Sequence, residues 1–239
     1  MNFVGLLAGK GSRMGNLGSY LQKAMYPVLD KPFVQYTLDA LIDSQVFDKR
    51  KDRIILVVGH KKEQVLAYFG SSYRDVPLYY VVQEQALGTG HAVLTSMEKA
   101  NPEETTVVWH GDNFVPSSLF EDIVAHPLAC CISVTEYQST KELKERVELD
   151  EDVVKRAWLG TGPCIDTVAW KFNAHMISQI ANNSADEYRT LLNVQAQIEK
   201  GIPVGYVWNH DWVHLGGTEP SVMENIFACV QSMYRKEIQ

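Results

Sequence analysis

Short apolar runs alternate with polar, helix-periodic stretches through the first half of the chain. "FVGLLA" (3–8), "RIILVVG" (53–59), "LYYVVQ" (78–83) and "TTVVWHGD" (105–112) have the β-branched character of buried strands. Between them, 31–44, 61–69 and 88–100 carry helical spacing. This alternation predicts an α/β fold: a mainly parallel sheet with helices on both faces. After residue 128 the pattern changes. The runs 129–137, 146–152, 153–159 and 165–172 predict four shorter strands, so the second half is strand-rich. Helices over 173–181 and 186–200, a strand over 202–208 and a closing helix near 219–236 complete the expectation. No repeat, low-complexity segment or linker interrupts the pattern, and 1–239 reads as a single domain whose halves meet near 128.

Composition narrows the classes of function. With 239 residues, 46% of them hydrophobic, the chain can bury a full core. A net charge of −7 argues against a general nucleic-acid binder, because phosphate backbones reward clustered Lys and Arg. Four cysteines, with Cys130 and Cys131 adjacent and no C-x-x-C pair, read as reduced thiols, not as a disulfide framework or zinc site. The first apolar run is too short for a signal peptide, and no run approaches ~18 apolar residues. A soluble, cytoplasmic protein that binds neither membrane nor nucleic acid is expected.

The chemistry begins at "FVGLLAGKGSRMG" (3–15). A Walker loop needs four residues between its glycines and then Gly-Lys-Ser/Thr; Gly5 and Gly9 enclose three, and Gly11 follows Lys10. A dinucleotide fingerprint starting at Gly9 needs glycine where Met14 stands. What remains is a Gly-rich turn after a strand, whose successive N–H groups can form a concave anion site. Arg13 adds a planar, always-charged fork, and Lys23 a point charge. A tight turn with solvated basic residues reads equally well at this level. Ligands of such sheets sit beyond the carboxyl ends of the strands, where this loop and "HGDN" (110–113) both fall.

The stretch "LLAGKGSRM…KAMYPVLDKPFVQYTLDAL" resembles the signature of the sugar-phosphate nucleotidyltransferases, and "QEQALGTGHAV" (83–93) is similar to their base-binding loop. The likeness is greatest to the uridylyltransferase domain of N-acetylglucosamine-1-phosphate uridylyltransferases. It is specific over 3–41 and 81–113 and weakens after 130. The resemblance implies a Rossmann-like, GT-A-like fold, with 1–128 binding nucleotide and 129–239 binding the acceptor. It implies in-line attack of an acceptor phosphate on the α-phosphate of a nucleoside triphosphate, with pyrophosphate leaving. Such an acceptor is already ionised at neutral pH, so positioning and charge neutralisation carry the reaction.

By the same resemblance, the backbone of Leu7, Ala8, Gly9, Lys10 and Gly11 holds the triphosphate. Arg13 and Lys23 are the catalytic cations, and Gln83, Gly88 and Thr89 bind the nucleotide. Gln22 stands where the family usually has Pro, which implies a less rigidly presented Lys23. Asp112 matches the family's metal ligand, a hard oxygen suited to Mg²⁺. His214 in "DWVHLGGTEP" occupies the second ligand position, where imidazole suits Mn²⁺ better than Mg²⁺. His214 as a phosphate partner or a packed core histidine stays open, as does Asp211 in a shifted register.

UTP leads as donor, with CTP or dTTP open, because a Gln amide can read either pyrimidine edge. Asp166 in "IDTVAWKF" and Glu187 in "DEYRTLLN" are the acceptor-binding candidates. The family's usual acceptor glutamate is missing, since Trp158 and Leu159 stand there. Asp166 stands where the family usually has Asn, and with both departures an amine-bearing acceptor or a small non-hexose phosphate is expected; Asp166 accepting from one sugar hydroxyl, with specificity elsewhere, reads equally well. Three alternatives stay in view: a glycosyltransferase, which would want an Asp-x-Asp; a catalytically inactive nucleotide-binding regulator; and a cytidylyltransferase acting on a non-sugar phosphate. A homo-oligomer is compatible with all of them.

Overall fold

The computed structural model describes residues 1–137, 146–158, 160–181 and 187–215. The chain opens with β1 (Asn2–Leu7), then α1 (Asn16–Tyr20), a small hairpin of β2 (Pro27–Val28) and β3 (Lys31–Pro32), and α2 (Phe33–Asp43). Next come β4 (Arg53–Val58), α3 (Lys62–Phe69), β5 (Ser72–Tyr73), β6 (Val76–Val82) and α4 (Thr89–Ser96). The strand β7 (Thr106–His110) leads into β8 (Asn113–Phe114) and α5 (Ser117–Ala125). The second half holds β9 (Cys131–Glu136), β10 (Arg146–Asp150), β11 (Val153–Ala157) and β12 (Cys164–Phe172). It continues with α6 (Ala174–Ser178), α7 (Thr190–Glu199), β13 (Gly205–Trp208) and β14 (Val213–His214).

Among the described residues, ten strands form one sheet in the order β10-β11-β13-β9-β12-β7-β1-β4-β6-β5. The strands β7, β1, β4 and β6 pair in parallel, with Val4 opposite both Ile55 and Val108, as the alternation predicts. The sheet as a whole is mixed, because β12 runs antiparallel to both β7 and β9. Connection length explains the difference. A parallel return needs a crossover of a dozen residues or more, whereas only two residues join β10 to β11, which must therefore form a hairpin. The strand-rich second half is thus hydrogen-bonded into the same sheet as the first.

Alternation along the strands builds two cores. Phe3, Leu7, Leu56 and Trp109 pack under α2, α3 and α5 through Leu38, Val65 and Phe120. Val4, Ile55, Val57 and Val108 face the opposite side, against Val93 of α4, Met176 of α6 and Val194 of α7. Fully burying a side chain of this size contributes about 1.5–3 kcal/mol, so both faces are covered by necessity. Gly5 makes room for Trp109: a Cβ there would stand 2.7 Å from the indole.

Two expectations shift. The sequence reading leaves 113–128 unassigned, yet α5 forms there and buries Leu119, Phe120 and Ile123. The helix expected over 173–181 shortens to α6, which Asn173 starts by accepting the Met176 N–H. The closing helix near 219–236, the strand end at Leu159 and the helix start at 186 lie outside the described residues. No described helix is long and apolar enough to cross a membrane.

Candidate active site

Beyond the carboxyl ends of β1, β6 and β7 lies a cavity of about 250 Å³. The parallel register brings Leu6 level with His110, and the Gly111 N–H then donates to the Leu6 carbonyl. Leu7, Ala8, Gly9, Lys23, Gln83, Gly88, Thr89, Asp112 and Glu187 line this one space. These nine were proposed from sequence positions up to 180 residues apart. The topology gathers them at one end of the sheet.

The Gly-rich loop turns on Gly11, whose φ of +62° places it in the left-handed region open to glycine. Gly18 of α1 then rests against the Gly11 carbonyl, where a Cβ would come within 2.6 Å. Arg13 is exposed on the turn Ser12–Met14, and it does not line the central cavity. Lys10 faces an adjoining cavity of about 350 Å³, with His60 and Lys62. The two spaces share Ala8, Gln83 and Ala86 as walls.

Lys23 is firmly held, contrary to the weakening implied by Gln22 in place of Pro. Gln22 is 2% exposed, and its side-chain oxygen accepts from the Ala24 and Met25 N–H groups, capping the turn Lys23–Met25. Its Nε2 donates to the Leu7 carbonyl, and its own N–H donates to Gln64 Oε1 at 2.7 Å. One residue ties three elements, its side-chain amide joining β1 to the Lys23 turn and its backbone N–H reaching α3. Hydrogen bonds here supply the rigidity that a proline's fixed φ would supply.

The Lys23 ammonium forms an ion pair with Asp112 Oδ2, leaving the lysine side chain 13% exposed. Asn113 Nδ2 donates to the other Asp112 oxygen at 2.9 Å. Burial would raise the Asp112 carboxyl, but Lys23, His110 and His214 together hold it far below the usual carboxylate range. From the other end of the chain, β14 pairs with β8, His214 opposite Asn113, and the Leu215 N–H donates to the Asp112 carbonyl. Trp212 Nε1 donates to Asn113 Oδ1 at 2.8 Å, and its ring meets His214 edge-on. Burial, together with the charges of Lys23 and Arg13, pushes the His214 imidazole below its ordinary range, towards the neutral form. Arg13 and His214 therefore belong to the same electrostatic neighbourhood, although neither lines the cavity.

The acceptor candidates separate. Glu187 lines the cavity and pairs with Arg189. Asp166 is not among the residues that line it. It is 4% exposed and accepts from the Trp170 indole N–H at 2.9 Å and the Val168 N–H at 2.9 Å. A bulge between Asp166 and Trp170, with Val168 at φ +58°, turns the carboxylate back onto its own strand. Sequence reasoning missed His110. It lines the cavity, its ring stands edge-on to Trp170, and its Nε2 is sealed from solvent with no hydrogen-bond partner among the described residues. The signal was its place at the end of a strand, two residues before Asp112.

The second half also grips the loop around Leu87–Gly90. The Gly90 N–H donates to the Tyr188 carbonyl, the Tyr188 N–H donates to the Leu87 carbonyl, and the Thr190 hydroxyl donates to Thr89 Oγ1 at 2.8 Å. Gly88 sits at φ +96°, with its missing Cβ position 2.7 Å from the Tyr188 carbonyl oxygen.

The profile of the MobA-like NTP transferase domain matches residues 4–202. A D-glycero-alpha-D-manno-heptose 1-phosphate guanylyltransferase from Aneurinibacillus thermoaerophilus is 33% identical over 112 residues, 47% of this chain and 46% of that protein. A UTP–glucose-1-phosphate uridylyltransferase from Haloferax volcanii is 33% identical over 119 residues, 50% of this chain and 46% of the relative. The chain thus spans about half the length of these relatives. A UDP-glucose pyrophosphorylase solved with UDP-glucose superposes with a TM-score of 0.73 at 17% identity, over 98% of each chain. At that identity the likeness speaks for the fold.

Proposed function

The chain belongs to the MobA-like NTP transferase family, and on that premise we propose that it transfers a nucleoside monophosphate from a nucleoside triphosphate to a phosphorylated acceptor, releasing pyrophosphate. A sugar phosphate is the leading acceptor and UTP the leading donor, with CTP and dTTP the alternatives to test. The observation that carries this reading is the Lys23–Asp112 pair in the wall of a cavity bounded by the Gly-rich loop and the base loop.

In this reading an oxygen of the acceptor phosphate forms a bond to the α-phosphorus. The bond from that phosphorus to the bridging oxygen breaks, and pyrophosphate leaves with the electron pair. No proton needs to be removed first. The residues of the site therefore position and neutralise. Lys23 meets the phosphates of the reacting pair, held on the turn that Gln22 caps. Arg13 and the loop backbone meet the triphosphate.

Among the described residues no group of three or more His, Cys, Asp or Glu could hold a metal by itself. A single carboxylate fits Mg²⁺, which takes one or two carboxylates and fills its shell with water and phosphate oxygens. Asp112 would hold that ion, with a neutral His214 beside it as the ligand that would favour Mn²⁺. The ion would neutralise charge on the triphosphate.

The test is pyrophosphate release measured across a matrix of triphosphates and phosphorylated acceptors, with and without a chelator. Release with one pair, abolished by the chelator, is the expected result. Tight triphosphate binding with no release from any pair would sink the transferase reading and favour a nucleotide-binding regulator.

A further inference from the structure

Two acceptors close on the side-chain amide of Gln83. Its Nε2 donates to the Gly88 carbonyl at 3.1 Å and lies 3.0 Å from His91 Nδ1. A carbonyl can only accept, so the nitrogen end of the amide must face Gly88. With that end fixed, His91 Nδ1 is the second acceptor, and the imidazole carries its proton on Nε2. Both N–H bonds of the amide are thereby used inside the protein. A flipped amide would set oxygen against the Gly88 carbonyl oxygen, and it would keep the His91 contact only with the proton moved to Nδ1. What Gln83 retains for a ligand in the cavity is Oε1, which only accepts.

The Gly88 carbonyl cannot follow a flip, and His91 can do so only by moving its proton from Nε2 to Nδ1. Gly88 is wedged against Tyr188 at a φ open to glycine. His91 stands in the first turn of α4, its ring 5.5 Å from that of Tyr188 and its carbonyl accepting the Thr95 hydroxyl at 2.7 Å.

Resting on the nucleotide-site reading above, we propose that His91 is a positioning residue: with the Gly88 carbonyl it latches Gln83 as an acceptor-only reader of the base. The latch selects bases that offer a ring N–H, namely uracil, thymine and guanine. Cytosine and adenine present a lone pair at that ring nitrogen. Facing Oε1, it leaves two acceptors opposed with no proton between them, and an unmatched buried polar pair of this kind discriminates strongly.

Calorimetric titration of the purified protein with UTP and with CTP, without acceptor, tests the proposal. Wild type is expected to bind UTP about tenfold or more tightly than CTP, the size of one matched against one opposed hydrogen bond. His91→Phe keeps a ring against Tyr188 but removes the acceptor, freeing the amide to turn. The UTP-to-CTP preference should fall by about fivefold or more. His91→Asn, whose Oδ1 can stand in for Nδ1, should restore it. His91→Leu repeats the missing-acceptor arm if His91→Phe does not fold. Equal loss of affinity for both nucleotides, with the preference unchanged, would make His91 merely structural and overturn the latch. A wild-type preference for CTP overturns the acceptor-only reader directly. Binding of neither nucleotide to folded wild type overturns the nucleotide-site reading and the latch with it.

Discussion

Lys23 and Gln22 divide one task, since the first supplies the charge and the second fixes where it stands. Lys23→Met should lower kcat/KM for pyrophosphate release by about 10²–10³, because one preorganised charge contact in such a site is worth ~2.7–4 kcal/mol. Arg13→Ala should do likewise, through the triphosphate. Turnover within threefold of wild type in both variants would remove them from the reaction. Gln22→Ala removes the side-chain partners of the Leu7 carbonyl and the Ala24 N–H, while the Met25 N–H keeps its bond to the residue-22 carbonyl, at about 1–3 kcal/mol for each group left buried and unpaired. Its melting temperature and its turnover should therefore fall together; a stable but slow variant would place Gln22 in the chemistry itself. His214→Asp exchanges a soft ligand for a hard one. The ratio of Mn²⁺- to Mg²⁺-supported rates should drop, and an unchanged ratio would dismiss His214 as a ligand.

At the scale of elements, close packing sets limits that no local pattern announces. Gly5→Ala would drive a methyl into the Trp109 indole, and overpacking of this kind costs about 1–3 kcal/mol in denaturant titrations. The junction of α5 with β13 is tighter still, because a Cβ on Gly205 would come 2.0 Å from the His126 ring. Burial, and then the Lys171 ammonium, push His126 below its ordinary range. A histidine depressed in the folded state binds its proton more readily when unfolded. Its contribution is complete above the unfolded value near 6.5 and is lost as pH falls through it. The melting temperature should therefore decline from pH 7 to pH 5, and less steeply in His126→Asn. A decline of equal slope in the variant would assign the effect to other groups.

Across the whole molecule, the loop around Leu87–Gly90 is shaped by a segment a hundred residues away. Gly88→Ala introduces strain at φ +96° and a contact with the Tyr188 carbonyl that backbone cannot avoid. It should weaken triphosphate binding by tenfold or more while the far edge of the sheet keeps its protection from hydrogen exchange. Unchanged affinity would detach this loop from the nucleotide site.

The first half was legible because its central strands β1, β4 and β7 are buried on both faces and its helices show one apolar stripe, and both patterns are local. The Gly-rich loop, Gln83 with Gly88, and Asp112 were legible for a related reason: backbone approach to an anion and a carboxylate at a strand end restrict residue type within a few positions. Tertiary structure decided the rest. Asp166 reads as a substrate carboxylate in sequence, yet a bulge turns it towards the Trp170 indole. Gln22 reads as a loss of rigidity, yet its partners lie in β1, α3 and its own turn. The direction of β12 and β9, the Nε2 of His110 without a partner among the described residues, and the fixed amide of Gln83 depend on neighbours brought together only by the sheet order. Hydrogen-bond satisfaction in a buried site is a property of the assembled neighbours, and no single segment carries it.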